Sequence, residues 1–284
     1  MFYLVDKPLG ISSNLVAKIL KRVLRVSKIG FAGTLDPLAT GLMIIGTDGS
    51  SRLFPLMEHH TKTYETTIRL EGTSSSYDRE QPIESIEVSK EIQKKLTKEY
   101  IESVISHNFL GDIMQIPPTY SATWIDGQRA YELARKWHII DIKAKKRTVH
   151  VFDILSYDWP QITAKITVSH GTYIRSLARD LWIQLQTGWY LESLRRTDIG
   201  HMSIDKHSWI QHNDILYAPI EHTEVFPNIP FIHLSEEHKK HLRLGSTPLE
   251  TERKNGHYFI QYKDASYGLL ESREGLLFPV KNVV

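Results

Sequence analysis

The 284-residue chain is 41% hydrophobic and 24% charged, carries a formal net charge of +2, and has no cysteine. Such a chain is long enough for one large folded domain and a small one, and it excludes disulfides, thiolate metal sites and a cysteine nucleophile. No run approaches the ~20 apolar residues of a membrane-spanning helix. The start MFYLVDKPLG lacks the basic opening and long apolar stretch of a secretory leader, so a cytoplasmic protein without membrane attachment is expected.

Residues 2–6 read as a short strand. Ser12 or Ser13 then caps a helix over about 14–26, in which Leu15, Val16, Ile19, Leu20, Val23 and Leu24 follow helical spacing. LMIIGT at 42–47 is a buried strand. Residues 63–71 alternate, with Tyr64, Thr66, Ile68 and Leu70 on one face, which predicts a half-buried strand. TSSSYDREQP at 73–82 is a loop by composition, and a helix is expected over 89–106 from Ser89. Pro117 and Pro118 break the next segment, after which Asp126 caps a helix with Ala130, Leu133, Ala134 and Trp137 on one face. Strands follow over 147–157 and 162–169. Thr172 is expected to cap a helix over 173–186 closed by Gly188, and 190–198 is extended.

Strands and helices alternate without a regular βαβ rhythm, which predicts an α+β fold with a mixed, largely antiparallel sheet flanked by helices. Pro219, Pro227 and Pro230 mark a linker over 217–230, separating a large domain (1–216) from a small β-rich one (231–284) built on HYFIQY, SYGLLES and GLLFPVK. Basic residues cluster in two places: Lys7, Lys18, Lys21, Arg22, Arg25 and Lys28 near the start, and Arg129, Arg135, Lys136, Lys143, Lys145, Lys146 and Arg147 further on. Read from charge alone, these are solvated faces or contacts for a phosphate backbone.

The most informative segment is Gly30-Phe31-Ala32-Gly33-Thr34-Leu35-Asp36-Pro37-Leu38-Ala39-Thr40-Gly41. Pro37 pushes Asp36 out of the helical region, so an acid stands on a constrained loop ahead of a buried strand. From the residues alone Asp36 is either a presented functional acid or the cap of a turn. Tyr64 is equally a core strand residue. Arg175, in the first turn of a helix, opposes the macrodipole, and is either a solvated surface arginine or the partner of a nearby carboxylate, for which Asp36 is the candidate. The 14 histidines have no metal-ligand spacing: His59 and His60 diverge, and His238 and His241 lie among Lys and Glu.

GTLDPLATG closely resembles the catalytic motif of TruB-type pseudouridine synthases. VDKPLGISS, KTYETTIRLEG, QIPPTYSATWIDGQRAYELAR, SHGTYIRSLARDL and LRRTDIG are similar to that family's other motifs, in the same order, over about residues 3–200. The resemblance implies isomerisation of a specific uridine of tRNA, expected at position 55 in the T loop, to pseudouridine, by base flipping and with no cofactor or metal. It implies Asp36 as nucleophile, Arg175 as its partner, Tyr64 packed on the target base, and Tyr173 and Leu194 lining the uracil pocket. It further implies an RNA-binding PUA-like C-terminal domain, the tRNA T arm as partner, no protein partner, and a monomer. Three positions depart from the family pattern. Phe31 stands in place of a histidine that helps accommodate the flipped nucleotide, and is expected to take over part of that role by stacking. Trp124 replaces a basic residue, and TSSSYDREQP replaces an acidic loop whose acids are lost or displaced. These departures motivate the alternative of a catalytically impaired tRNA-binding or tRNA-folding factor of the same fold. A guide-RNA-dependent synthase is disfavoured by the short N-terminus, and a glycosidase by the lack of a second carboxylate in the motif.

Overall fold

The computed structural model describes residues 1–118, 124–125, 128–129, 142–243, 249–261 and 267–283. In chain order the strands begin with β1 (Phe2–Lys7), β2 (Ile29–Ala32), β3 (Thr40–Thr47) and β4 (Lys62–Arg69). Two short strands, β5 (Gly72–Thr73) and β6 (Glu84–Ser85), form a hairpin before β7 (Gly111–Gln115). Another pair, β8 (Trp124–Ile125) and β9 (Gln128–Arg129), precedes β10 (Lys145–Asp158), β11 (Gln161–Val168), β12 (Tyr190–Ile199), β13 (Met202–Ser203), β14 (Ile210–His212) and β15 (Ile215–Ile220). The chain closes on β16 (Leu249–Glu250), β17 (Gly256–Gln261), β18 (Tyr267–Arg273) and β19 (Leu276–Val283). The helices are α1 (Ser13–Val23), α2 (Lys90–Lys95), α3 (Lys98–Asn108), α4 (Ile174–Leu185), α5 (His222–Val225) and α6 (Glu236–Arg243).

The large sheet runs β14-β15-β1-β3-β12-β4-β11-β10-β7, with β2 on β3 and β13 on β12. Every pairing in it is antiparallel except β3 with β12, where Arg195 lies opposite Thr40 and Arg196 opposite Gly41. The expected mixed, largely antiparallel α+β sheet is therefore what the chain forms. Its two faces bury different clusters. In β1 and β3, Val5, Met43 and Ile45 join the cluster beneath Val16 and Leu20 of α1, Ile101 and Ile105 of α3, and Leu177 and Leu181 of α4. The alternate residues Phe2, Leu4, Leu42 and Ile44 point the other way, onto Phe226, Phe259 and Leu269. Burial on both faces is why LMIIGT reads as an unbroken apolar run rather than an alternating one.

Four expectations about elements need correction. The helix expected over 89–106 is two, α2 and α3. Leu96 turns its side chain into the core with ψ 73°, and Thr97 recaps the chain by accepting from the Tyr100 N–H at 3.2 Å. Thr172 does not cap α4; its hydroxyl donates back to the Ser169 carbonyl at 2.9 Å, and Tyr173 is the capping residue. The helix closes on Gln186 in the left-handed region rather than on Gly188. The expected linker begins later, because residues through Ile220 form β15 between β14 and β1. Pro219 fits within β15 because β14 ends opposite Tyr217, leaving that side of Pro219 without a ladder to supply. The helix expected from Asp126 falls outside the described residues, apart from the backbone of the β8–β9 pair.

At the C-terminus, β16-β19-β18-β17 form a separate four-stranded sheet. It is not independent of the large one: Phe259 is fully buried, lies 6.0 Å from the Phe226 ring and 5.4 Å from Phe231, and shares a cluster with Phe2 and Leu4. Removing a fully buried Phe ring costs about 3–5 kcal/mol. Phe259→Ala is therefore expected to lower global stability by that order in urea or thermal unfolding. An unchanged main transition would mean that the two sheets unfold separately.

Candidate active site

Asp36 stands on the turn between β2 and β3, where the Ala39 N–H donates to the Asp36 carbonyl at 3.0 Å. The loop is held from four directions. The Ser13 hydroxyl at the start of α1 donates to the Leu35 carbonyl at 2.8 Å and accepts from the Leu35 N–H at 2.9 Å. The Gly10 N–H donates to the Pro37 carbonyl at 2.9 Å. Lys7, fully buried, donates to the carbonyls of Pro8, Ile11 and Pro37 at 2.9, 2.7 and 3.2 Å. The Leu38 N–H donates to the Glu80 carboxylate. Burial pushes the Lys7 ammonium down to about 8, against the upward pull of Glu80 and Asp36, so it remains mostly charged at neutral pH. VDKPLGISS thus supplies three of the braces for the Asp36 loop, which accounts for the two segments occurring together.

Across the cavity, α4 presents Arg175 in its first turn. Buried Gln115 fixes the helix entry by accepting from the Tyr173 N–H at 2.9 Å and donating to the Tyr173 carbonyl at 3.1 Å. The Arg175 guanidinium is 2.8 Å from the Asp36 carboxylate and also donates to the Ser76 carbonyl at 3.0 Å. The Arg175 side chain is only 6% exposed, whereas that of Asp36 keeps 39% of its surface open toward the cavity. Burial pushes the Asp36 carboxyl up; Arg175 pulls it back down and the nearby Asp78 adds to the rise. The ion pair therefore opposes the desolvation penalty, and the penalty is the larger of the two.

The 73–82 loop carries an ordered, buried acid of its own. Asp78 is 1% exposed, accepts from the Ser76 hydroxyl at 2.6 Å and from the Glu80 N–H at 3.0 Å, and so shapes the loop whose Ser76 carbonyl meets Arg175. A composition of three serines and mixed charges hid this ordered, buried structure.

A cavity of about 210 Å³ opens over Asp36 and is lined by Asp36, Tyr64, Tyr173, Arg175 and Leu194. That is smaller than the ~300–1,000 Å³ of drug-sized ligand sites and suits a single nucleoside. Five of the six expected site residues thus converge from four elements. Phe31 does not join them. It lies on β2 opposite Ile45, half-buried, packed against the cluster under α1. A β-strand sends alternate side chains to opposite faces, and the register of β2 on β3 commits the Phe31 ring to packing.

Lys62 and Arg196 are among the cavity residues that the sequence reading does not name. Both were legible by parity. Lys62 is two residues before Tyr64 and Arg196 two after Leu194, so each shares the face of its partner, and the register sets Arg196 opposite Tyr64. Arg196 is 1% exposed, donates to the Leu42 and Gly33 carbonyls at 2.7 and 2.9 Å, and places its guanidinium carbon 6.0 Å from the Tyr64 ring.

Residues 21–174 match the family model described as TruB family pseudouridylate synthase, N-terminal domain. The chain belongs to this family. It is a pseudouridine synthase, an isomerase. The chain is 41% identical over 210 residues to tRNA pseudouridine synthase B of Bacteroides thetaiotaomicron, covering 70% of this chain and 85% of that protein. It is 40% identical over 206 residues to the protein of the same name from Corynebacterium glutamicum, covering 71% and 68%. A crystal structure of the archaeal box H/ACA sRNP Nop10–Cbf5 complex aligns over 99% of this chain and 86% of its own, with a TM-score of 0.64 at 18% identity, a likeness of fold. Among the described residues no group of three His, Asp or Glu side chains is placed to hold a metal, and no helix is long and apolar enough to cross a membrane.

Two outcomes follow from the site. In Arg175→Met the downward pull on Asp36 is gone, so its carboxyl titrates higher. The acid limb of the kcat/KM–pH profile is expected to move to higher pH, with a loss of about tenfold or more at pH 7. An unmoved limb would separate the ion pair from catalysis. Phe31→Ala is expected to lower stability by about 1–3 kcal/mol, less than for a fully buried Phe, with RNA affinity of the folded protein unchanged. Melting temperature and a binding isotherm on the same variant check both halves.

Proposed function

We propose that this protein converts one uridine of tRNA, position 55 in the T loop, to pseudouridine, with Asp36 as the acting carboxylate. The names of its relatives support tRNA as substrate, and the Asp36–Arg175 pair facing an aromatic wall in a nucleoside-sized cavity is the observation that carries the reading. The reaction is an isomerisation: the N1–C1′ bond breaks, the uracil turns, C5 bonds to C1′, and the proton from C5 is lost while N1 gains one. No electrons are exchanged with a cofactor. The uridine must leave its stack, at a cost of a few kcal/mol, and Tyr64 supplies the aromatic face that replaces the lost stacking. Tyr173 and Leu194 close the apolar walls. Asp36 then acts covalently on the sugar or the base, or stabilises a glycal route; all these routes place the same carboxylate beside C1′ and C6. Arg175 keeps that carboxylate ionised when the entering base displaces water.

The same reading assigns the four-stranded C-terminal sheet, within residues 231–284, to a PUA-like RNA-binding module, and the working form to a cytoplasmic monomer that engages the T arm without a protein partner. The test is chemical mapping of pseudouridine in unmodified tRNA incubated with the protein alone. The wild-type protein is expected to modify one T-loop uridine. Asp36→Asn is expected to modify none while still binding tRNA, since a neutral isostere cannot act as nucleophile. Turnover by that variant would remove Asp36 from its role, and a wild-type protein that binds without modifying would favour the RNA-folding alternative.

A further inference from the structure

Two cations in the cavity wall have no carboxylate partner. Among the described residues, Lys62 and Arg196 form no salt bridge, unlike Arg175 with Asp36 and Arg195 with Asp6. They converge over Gly33, which has φ +68°. A Cβ at that residue would stand 3.0 Å from the Lys62 ammonium nitrogen and 3.3 Å from a terminal guanidinium nitrogen of Arg196. Only a glycine lets the two positive groups come this close over the loop, and both line the open cavity beside it. His170 closes the third side, with Nδ1 3.5 Å from the Lys62 nitrogen, and all four residues line the same cavity as Asp36. Behind His170, Arg147 donates to the Gly171 carbonyl at 2.9 Å and adds a further positive charge.

Like charges this close repel, and among the described residues Lys62 and Arg196 have no carboxylate within salt-bridge distance; Arg196 is offset only by the Leu42 and Gly33 carbonyls, and Glu58 acts on His170 from further off. Burial and Arg196 together push the Lys62 ammonium down to about 7. Burial and Lys62 lower His170 in the same way. A cluster in this state gains most from an anion, and a tetrahedral oxyanion with several acceptor oxygens answers both a guanidinium fork and an ammonium.

We propose that Lys62, Arg196 and His170 form a phosphate site, on the cavity wall beside Gly33, that receives the backbone phosphodiester flanking the target uridine. The proposal rests on the reading of the cavity as the seat of an RNA uridine, and it adds what holds the strand once the base has turned in. Base and phosphate of one nucleotide are joined through the sugar, so anchoring the phosphate on the Lys62 side fixes the distance of C1′ from Asp36 on the other. Lys62 and Arg196 are thus positioning residues: they act on the strand and not on the bond that breaks.

The test is a binding cycle on a T-arm stem-loop in which each phosphate around the target uridine is replaced, one at a time, by a neutral methylphosphonate. With wild-type protein, one replacement is expected to weaken binding by roughly 10- to 100-fold, the loss of a charge-assisted contact. With Lys62→Gln, affinity is already reduced by a similar factor and that one replacement has no further effect, while replacements elsewhere still weaken binding. Lys62→Arg is expected to restore the sensitivity, which guards against a variant that is merely misfolded. Additive losses at every phosphate would overturn the proposal. Inorganic phosphate as competitor separates the two sources of the anion: tight competition abolished by Lys62→Gln, with no methylphosphonate showing coupling, would assign the niche to a free anion and overturn the RNA assignment. The readout is affinity, so it stands apart from turnover. A protein that binds the stem-loop and shows the coupling but forms no pseudouridine would fail the catalytic reading and keep the phosphate site.

Discussion

The constraint on which the rest of the structure depends is keeping a carboxylate ionised where burial favours its neutral form. A carboxyl group drawn out of water rises in pKa unless an opposite charge or hydrogen-bond donors compensate, and here Arg175 compensates only in part. Positioning therefore carries much of the task. The Asp36 turn is short and bounded by Pro37, and it is pinned by Ser13, Gly10 and Lys7 from one N-terminal segment and by Glu80 from the 73–82 loop. On the opposite side, Gln115 fixes the first turn of α4, so the guanidinium meets the carboxylate without either side chain searching for the other. A cation at a helix N-terminus is unfavourable by itself. The pair makes sense of both awkward placements at once.

The sheet brings these pieces together at its one parallel joint. β3 and β12 run side by side only around Gly41 and Arg196, and a Cβ on Gly41 would stand 2.2 Å from the Arg196 carbonyl oxygen. Gly41, at φ +100°, is the residue type that close approach demands. Because β12 lies between β3 and β4, the loop that ends at β3, the Leu194–Arg196 face and the Lys62–Tyr64 face become neighbours. The register shifts on either side of Leu194 and Arg196 confine the in-register stretch to the residues that face the cavity. The apolar cluster beneath, shared by α1, α3 and α4, makes that arrangement rigid, and the second cluster ties the C-terminal sheet to the opposite face.

Much of this was legible in the chain because the signals were local. Apolar periodicity marked α1, β4 and β11, an unbroken apolar run marked β3, and Pro37 beside Asp36 marked the constrained acid. The failures were failures of non-local information. Leu96 breaks the expected helix because the core takes it, and no property of 89–106 alone reveals that. Tyr173 caps α4 because Gln115 binds its backbone from far upstream, which displaces the local candidate Thr172. Pro219 signals a linker in sequence, but it sits in β15 at a point where the neighbouring strand has already ended. Phe31 looked like a substitute for a missing histidine as long as only its motif was considered; its strand register decides for packing. Lys62 and Arg196 are the instructive omissions, because alternation along their own strands already placed them beside Tyr64 and Leu194.

Net charge illustrates the same distinction between what sums along a chain and what geometry concentrates. A formal charge of +2 predicts little affinity for a polyanion. Within the cavity the balance is different: Asp36 and Arg175 cancel, and Lys62 and Arg196 remain. The surplus sits beside the aromatic ring of Tyr64. On the proposed reading, an acid neutralised by its arginine and a cationic wall without a carboxylate partner let one small cavity present a carboxylate to the sugar and a positive surface to the backbone that carries it.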